Sequence, residues 1–285
     1  MGYSNWSDNF YHDRERVRAE TGTDAFVYHS AMAATPVAER KVHPQMDPKG
    51  IIRESRDSDE HPESLAIAVI LDETGSMAGT PRVMQQALPA LMRQLVDNGC
   101  EHPQVLFGAV GDETNNEAAS LQIGQFESGI EMDDDLGRIY MEGMGGGSFH
   151  ESYQNVLYFF ARKTSCDCFE KRGVKGKLFL VGDELPYPHV FKHEIEKLFG
   201  DSVQDDIPVA EIIREAKEKW DIYFVIPAGT NHAGSAQLIN TWTDLLGGAE
   251  FVLQIPNAAD ICTTVTATVT GQSIEAPAPN RNVRL

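Results

Sequence analysis

The sequence predicts an α/β fold. The expected form is a three-layer, doubly wound, mostly parallel six-stranded sheet with helices on both faces. Two observations carry this. Apolar runs of strand length alternate with segments of helical period from Leu65 onward. The run "LAIAVIL" is also apolar without interruption, as a central parallel strand covered on both faces requires.

Each element follows in order. "LAIAVIL" is the first strand. "VMQQALPALMRQLVDNG" has apolar residues at helical spacing and ends at Gly99, a helix stop signal. "QVLFGAV" is a second strand and "LQIGQFE" a third, at the sheet edge. "SFHESYQNVLYFFARKT" is a long helix and "KLFLVGDE" a fourth strand. "VFKHEIEKLFG" and "VAEIIREAKEKW" are helices, "DIYFVIPAG" a fifth strand, "SAQLINTWTDLLGG" a helix and "EFVLQIP" a sixth strand. "AADICTTVTATVTG" is β-branched like a strand but placed like a closing helix. This domain covers residues 65–270. Residues 1–64 are dense in charge, with one short helix in "DAFVYHSAMAA", and are expected to form an arm packing partly on the domain. Residues 271–285 are expected to be a flexible Pro-containing tail.

Composition narrows the function. The 285 residues include 24 basic and 43 acidic side chains, a net charge of −19. A nucleic-acid partner needs a positive footprint, and so does an anionic membrane, so both are disfavoured. No signal-type h-region and no membrane-length apolar run is visible. Four cysteines in a chain of this length do not form a disulfide framework. The expected location is the cytoplasm.

Parallel sheets bind ligands at the carboxyl ends of their strands. Three loops should meet there. The first, "DETGS", carries Asp72, Thr74 and Ser76. The second, "EGMGGGSFHES", carries Gly145, Gly146 and Gly147 ahead of Ser148 and Glu151. The third, "VGDE", carries Asp183. Carboxylates and hydroxyls without a soft donor suit Mg²⁺, with Mn²⁺ or Ca²⁺ as alternatives, rather than zinc.

"DETGS" resembles the D-x-S/T-G-S signature of the von Willebrand factor A family, the first segment of its metal-ion-dependent adhesion site. The glycine-rich turn with Ser148, where the family has Thr, resembles the second segment, and Asp183 the third. "GGGSFHES" and "VGDELPYPH" are similar to turns of the intracellular branch. The resemblance covers about residues 65–270. It implies that Thr74, Ser76 and Ser148 bind the ion, that Asp72 and Asp183 act through water and hydrogen bonds, and that a partner protein supplies a Glu or Asp as a further ligand. It also implies work in an intracellular assembly, sometimes with an AAA+ ATPase. Ser148 loses the β-branch that restricts a threonine rotamer, so a looser second loop is expected.

Other readings compete. In one, the site serves only the stability of a virion or complex subunit. A metal-assisted phosphoester hydrolase would use Glu151, His150 or Asp112 as base. No P-loop motif occurs, and Thr74 stands where a haloacid-dehalogenase phosphatase needs its second Asp. His189 and His193 are four apart on an expected helix but lack a third ligand. Cys166-x-Cys168 lacks a second pair for zinc. Asp133–Asp135 is expected to be a solvated loop or helix start.

Overall fold

The computed structural model describes residues 5–23, 25–77, 79–87, 90–143 and 148–272. The expected glycine turn at Gly145–Gly147 and the tail from residue 273 lie outside the described residues. In chain order the elements are α1 (Asp8–Thr21), α2 (Val27–Ala33), β1 (Arg53–Ser55), β2 (Leu65–Asp72), α3 (Thr80–Ala87), α4 (Leu91–Asp97), β3 (Pro103–Val110), β4 (Leu121–Ile123), α5 (Glu131–Arg138) and β5 (His150–Glu151). There follow α6 (Tyr153–Arg162), β6 (Thr164–Cys166), α7 (Asp167–Arg172), β7 (Gly176–Val181), β8 (Leu185–Pro186), β9 (His189–Val190), α8 (Lys192–Phe199), β10 (Ile207–Pro208), α9 (Val209–Lys219), β11 (Trp220–Pro227), α10 (Ala236–Leu246), β12 (Val252–Ile255) and α11 (Ile261–Thr270).

The main sheet has the order β12-β11-β7-β2-β3-β4, and three two-stranded sheets stand beside it. This corrects the expected doubly wound parallel sheet. The sheet is mixed, because β4 runs antiparallel to β3, with Gly108 opposite Ile123 and Val110 opposite Leu121. The cause is the connection. A parallel pair needs a crossover of about a dozen residues or more, usually helical. Residues 111–120 hold only the 3-10 turn Glu113–Asn115, so the chain doubles back.

Both faces of the sheet are covered, and the strand period decides which side chain goes where. Ala66, Ala68 and Ile70 of β2 face a core with α6, α9 and α10, while Ile67, Val69 and Leu71 face one with α4, α5 and α11. Every residue of α6 from Tyr153 to Ala161 is buried. The expected single helix after β2 is two, α3 and α4, and the ambiguous C-terminal segment is the helix α11.

The N-terminal residues close one edge of the sheet. Ile123 of the edge strand β4 donates its N–H to the Met46 carbonyl at 2.8 Å, and Arg53 donates to the Ile123 carbonyl at 2.8 Å. An edge strand left open would be a template for pairing with another chain. Phe26 and Met46 are buried in the core on the α5 side. Arg14 and Arg18 of α1 reach Asp133 at 3.2 and 2.6 Å. Asp133, expected in a solvated loop or helix start, lies in the first turn of α5 but is 1% exposed inside that clamp.

Candidate functional site

Strand order reverses across β2 and β7: the chain leaves β2 for β3 on one side and later returns to place β7 on the other. The connecting segments therefore diverge beyond these carboxyl ends, the place where open α/β sheets form their binding crevice. Asp72 ends β2 and Asp183 follows β7 by two residues. Both carboxylates are 0% exposed.

Four expected residues form one hydrogen-bonded chain there. Asp72 Oδ1 accepts from the Thr74 N–H at 2.8 Å and from Thr74 Oγ1 at 2.5 Å. Thr74 Oγ1 lies 3.1 Å from Ser76 Oγ, and Ser76 Oγ donates to Asp183 Oδ1 at 2.7 Å. Asp183 Oδ2 accepts the His232 N–H at 2.9 Å. Ser148 does not join this chain. Its hydroxyl meets the His150 carbonyl at 3.2 Å and the Tyr187 hydroxyl at 3.4 Å, and Tyr187 donates to Asp112 Oδ2 at 3.1 Å.

Several functional neighbours escape sequence reasoning. The Tyr153 hydroxyl donates to Asp72 Oδ2 at 2.5 Å. Gly182 makes room for it: a methyl group there would overlap the Tyr153 hydroxyl and lie 2.9 Å from Asp72 Oδ2. Glu73, Glu117 and Glu184 are buried around the same crevice, beside Glu151, which the sequence already places in the second loop. The signal for Tyr153 was hidden, since "SYQNVLYFFA" reads as core helix throughout.

The electrostatics are unbalanced. Burial holds Asp72 above the ordinary carboxylate range and Asp183 adds to this, against the pull of Thr74 and Tyr153. Burial, with Asp72 and Asp183 adding, pushes Glu184 up to about 8. Burial also pushes Glu117 up to about 7, and raises Glu151 and Glu73 well above their ordinary values. Charged carboxylates in such surroundings need protons or cations.

The donor set fits a hard cation. Thr74 and Ser76 each donate their hydroxyl to a carboxylate, and their two oxygens lie 3.1 Å apart. Neighbouring oxygens on an octahedral Mg²⁺ with bonds of about 2.1 Å lie about 3 Å apart. Among the described residues no three His, Cys, Asp or Glu side chains are grouped to hold a metal. A cation here would therefore depend on the hydroxyls.

The other sequence candidates separate. His189 lies in β9 and His193 in α8, with Phe191 against both rings, so the expected shared helix face does not exist. His150 stacks on Tyr187.

Comparison with known proteins places the fold. No family model matches the chain, and no curated protein does. The pilus adhesin SpaC of Lactobacillus rhamnosus GG, in its open conformation, matches 78% of this chain at 10% identity with a TM-score of 0.51. The match takes in 31% of the adhesin, so this chain spans under a third of that protein. Proximal thread matrix protein 1 of the mussel byssus matches 79% of this chain and 46% of its own, at 14% identity and a TM-score of 0.43. A variant of the PilB minor pilin of Streptococcus sanguinis matches 73% and 62%, at 8% identity and a TM-score of 0.44. These are named as adhesin, matrix protein and pilin, not as enzymes. The adhesin takes the place of the doubly wound parallel sheet as the fold comparison. At such identity the adhesin likeness is one of fold alone.

Proposed function

We propose that this chain is a protein-binding module. A divalent cation, Mg²⁺ first, sits at the carboxyl ends of β2 and β7 and captures an acidic residue of a partner, as in a metal-ion-dependent adhesion site. Thr74 and Ser76 are the direct ligands. Asp72 and Asp183 hold those hydroxyls and balance charge, and Ser148 with Tyr187 and Asp112 forms the second side of the mouth. The bound ion supplies an electrophilic position that a carboxylate completes. The observation that carries this is the Thr74–Ser76 oxygen pair at 3.1 Å with both protons already committed to carboxylates.

Tyr153 fixes Asp72 from behind, and the His232 N–H fixes Asp183. Each acid then presents one oxygen to a hydroxyl and cannot swing into the open position. The acidic surroundings repel a carboxylate in the absence of the ion, so the ion is the switch for binding. The reading is of a binding module rather than an enzyme. Glu151 accepts its neighbour's Ser152 N–H and Asp112 is held by Thr114 and Tyr187, so neither is a free base. The four buried cysteines are free thiols, which supports an intracellular assembly, where an AAA+ ATPase is a suitable kind of partner.

Titration calorimetry with Mg²⁺, Mn²⁺ and Ca²⁺, with and without excess acetate, tests the proposal. Acetate supplies the missing carboxylate. The expected result is saturable binding that acetate tightens and that Asp72→Ala abolishes. Absence of binding heat in the wild type, with and without acetate, overturns it.

A further inference from the structure

Aromatic rings flank the strand-end mouth on two sides, and metal capture alone gives them no part. On the Asp183 side, the loop after β11 is tied down at two points. The Asn231 N–H donates to the Ser76 carbonyl at 3.2 Å, and the His232 N–H donates to Asp183 Oδ2 at 2.9 Å. The His232 ring then meets the Phe149 ring, with centroids 4.5 Å apart. On the Ser148 side, His150 stacks on Tyr187 at 5.3 Å. The Tyr187 hydroxyl lies 3.4 Å from Ser148 Oγ and donates to Asp112 Oδ2 at 3.1 Å. The tract runs on to Phe191, whose ring lies 6.3 Å from that of Tyr187.

One short connection builds both flanks. His150 and Glu151 pair in parallel with Leu185 and Pro186, and the Leu185 N–H donates to the Phe149 carbonyl at 3.3 Å. This fixes the Ser148 loop beside the chain that leaves Asp183. The adjacent rings of Phe149 and His150 then go to different partners, one on each flank. Phe149 rests against the core, yet none of the five rings is sunk in it. Phe149, His150, Tyr187 and Phe191 are half-buried, and the His232 side chain is 37% exposed. Rings that only fill the core here, such as Phe159 and Trp242, are 0% exposed. Aromatic side chains that keep a face in water beside a polar site are typical of interfaces.

We propose that the partner's metal-ligating acid is a single carboxylate set beside aromatic side chains. This rests on the binding reading above: the ion takes the carboxylate, and the rings on the two flanks take its neighbours. Charge disfavours an acidic run. Asp72, Asp112, Asp183 and Glu184 already stand at this end of the sheet, and the chain carries −19. A second acid beside the first would meet these carboxylates with no ion left to receive it. A ring meets no such repulsion.

The test is titration calorimetry of the intact chain with two blocked tripeptides, acetyl-Ala-Glu-Ala-amide and acetyl-Phe-Glu-Phe-amide. Each carries one carboxylate, so charge is held constant. Both should bind in Mg²⁺ and neither in EDTA, and the phenylalanine peptide should bind roughly tenfold tighter. His150→Ala and Phe149→Ala should each lower that ratio severalfold, and either variant suffices if the other does not fold. Equal affinities in Mg²⁺ overturn the inference and leave the metal reading standing. Binding of neither peptide in Mg²⁺ overturns both. Binding of the phenylalanine peptide that persists in EDTA overturns the inference, because the rings would then act apart from the ion. A ratio unchanged in the folded variants overturns it too, by placing the preference elsewhere.

Discussion

The two ends of β2 treat acidic side chains in opposite ways. At the amino end, Asp57 meets Arg172 at 2.7 Å and Lys171 at 3.2 Å, and Asp167 meets Arg56 at 2.9 Å and Lys171 at 2.7 Å. Although burial raises it, Asp57 is held down to about 2 by Arg172, Ser64 and Lys171. At the carboxyl end, Asp72, Glu117, Glu151 and Glu184 lie around one crevice, and their pKa values go up. Eight residues of strand, about 26 Å, separate the two regimes. The amino end is held by charges that the chain supplies itself. The carboxyl end is short of positive charge, and a bound cation is what would complete it. The contrast also places Asp57 and Glu54 away from the mouth, bound to Arg172 and Arg56, so the N-terminal segment does not block the crevice through them.

The largest effect should come from the carboxyl end's packing. Gly182→Ala drives a methyl group into the Tyr153 hydroxyl and against Asp72, between fully buried groups. A loss of roughly 3 kcal/mol or more is expected in urea unfolding. A near-neutral result would mean that the Tyr153–Asp72 contact is loose.

Next comes pH. Glu117 and Glu184 have folded-state values of about 7 and about 8, above their ordinary value of 4.5. The folded metal-free chain therefore binds more protons than the unfolded one between these limits. Its stability should fall as pH rises through that window, by on the order of a few kcal/mol from pH 5 to pH 8 in EDTA. Asp57 works the other way: its contribution is present above about pH 4 and is lost as pH falls toward about 2. A metal-free stability that rises from pH 5 to pH 8 would break the contrast.

A smaller effect separates the two ends by substitution. Asp57→Asn removes a charge that has cationic partners and should cost about 1–2 kcal/mol at pH 8. Asp72→Asn removes a charge that has none and should leave the metal-free chain equally stable or more so. Equal losses from both, in urea unfolding with EDTA, would show that the crevice is already balanced.

How much of this was legible in the sequence depended on the range of the interaction. The strand "LAIAVILD" and its terminal Asp72 follow from local pattern, and so do the hydroxyls two and four residues on. Asp183 was legible because it also ends an apolar strand. The antiparallel β4 was not, since strand direction is set by how a short connection closes in space. Tyr153 was masked because α6 is buried all round and shows no periodicity that marks one residue as polar in role. Ser148 sits in the expected loop, but its bonds go to Tyr187 and His150, which sequence order could not reveal. The helix α1 was hidden by its charge density, though Arg14 and Arg18 use that charge to hold Asp133.

The most direct test of the central claim is urea unfolding at pH 8 in EDTA and in millimolar Mg²⁺, for the wild type, Asp72→Asn and Asp57→Asn. A ligand that binds only the folded state adds stability by mass action, about 2.7 kcal/mol at a hundredfold excess over its dissociation constant. The account predicts that Mg²⁺ stabilises the wild type and Asp57→Asn alike and leaves Asp72→Asn unchanged. An Mg²⁺ effect that survives Asp72→Asn, or that is absent from the wild type, would contradict it.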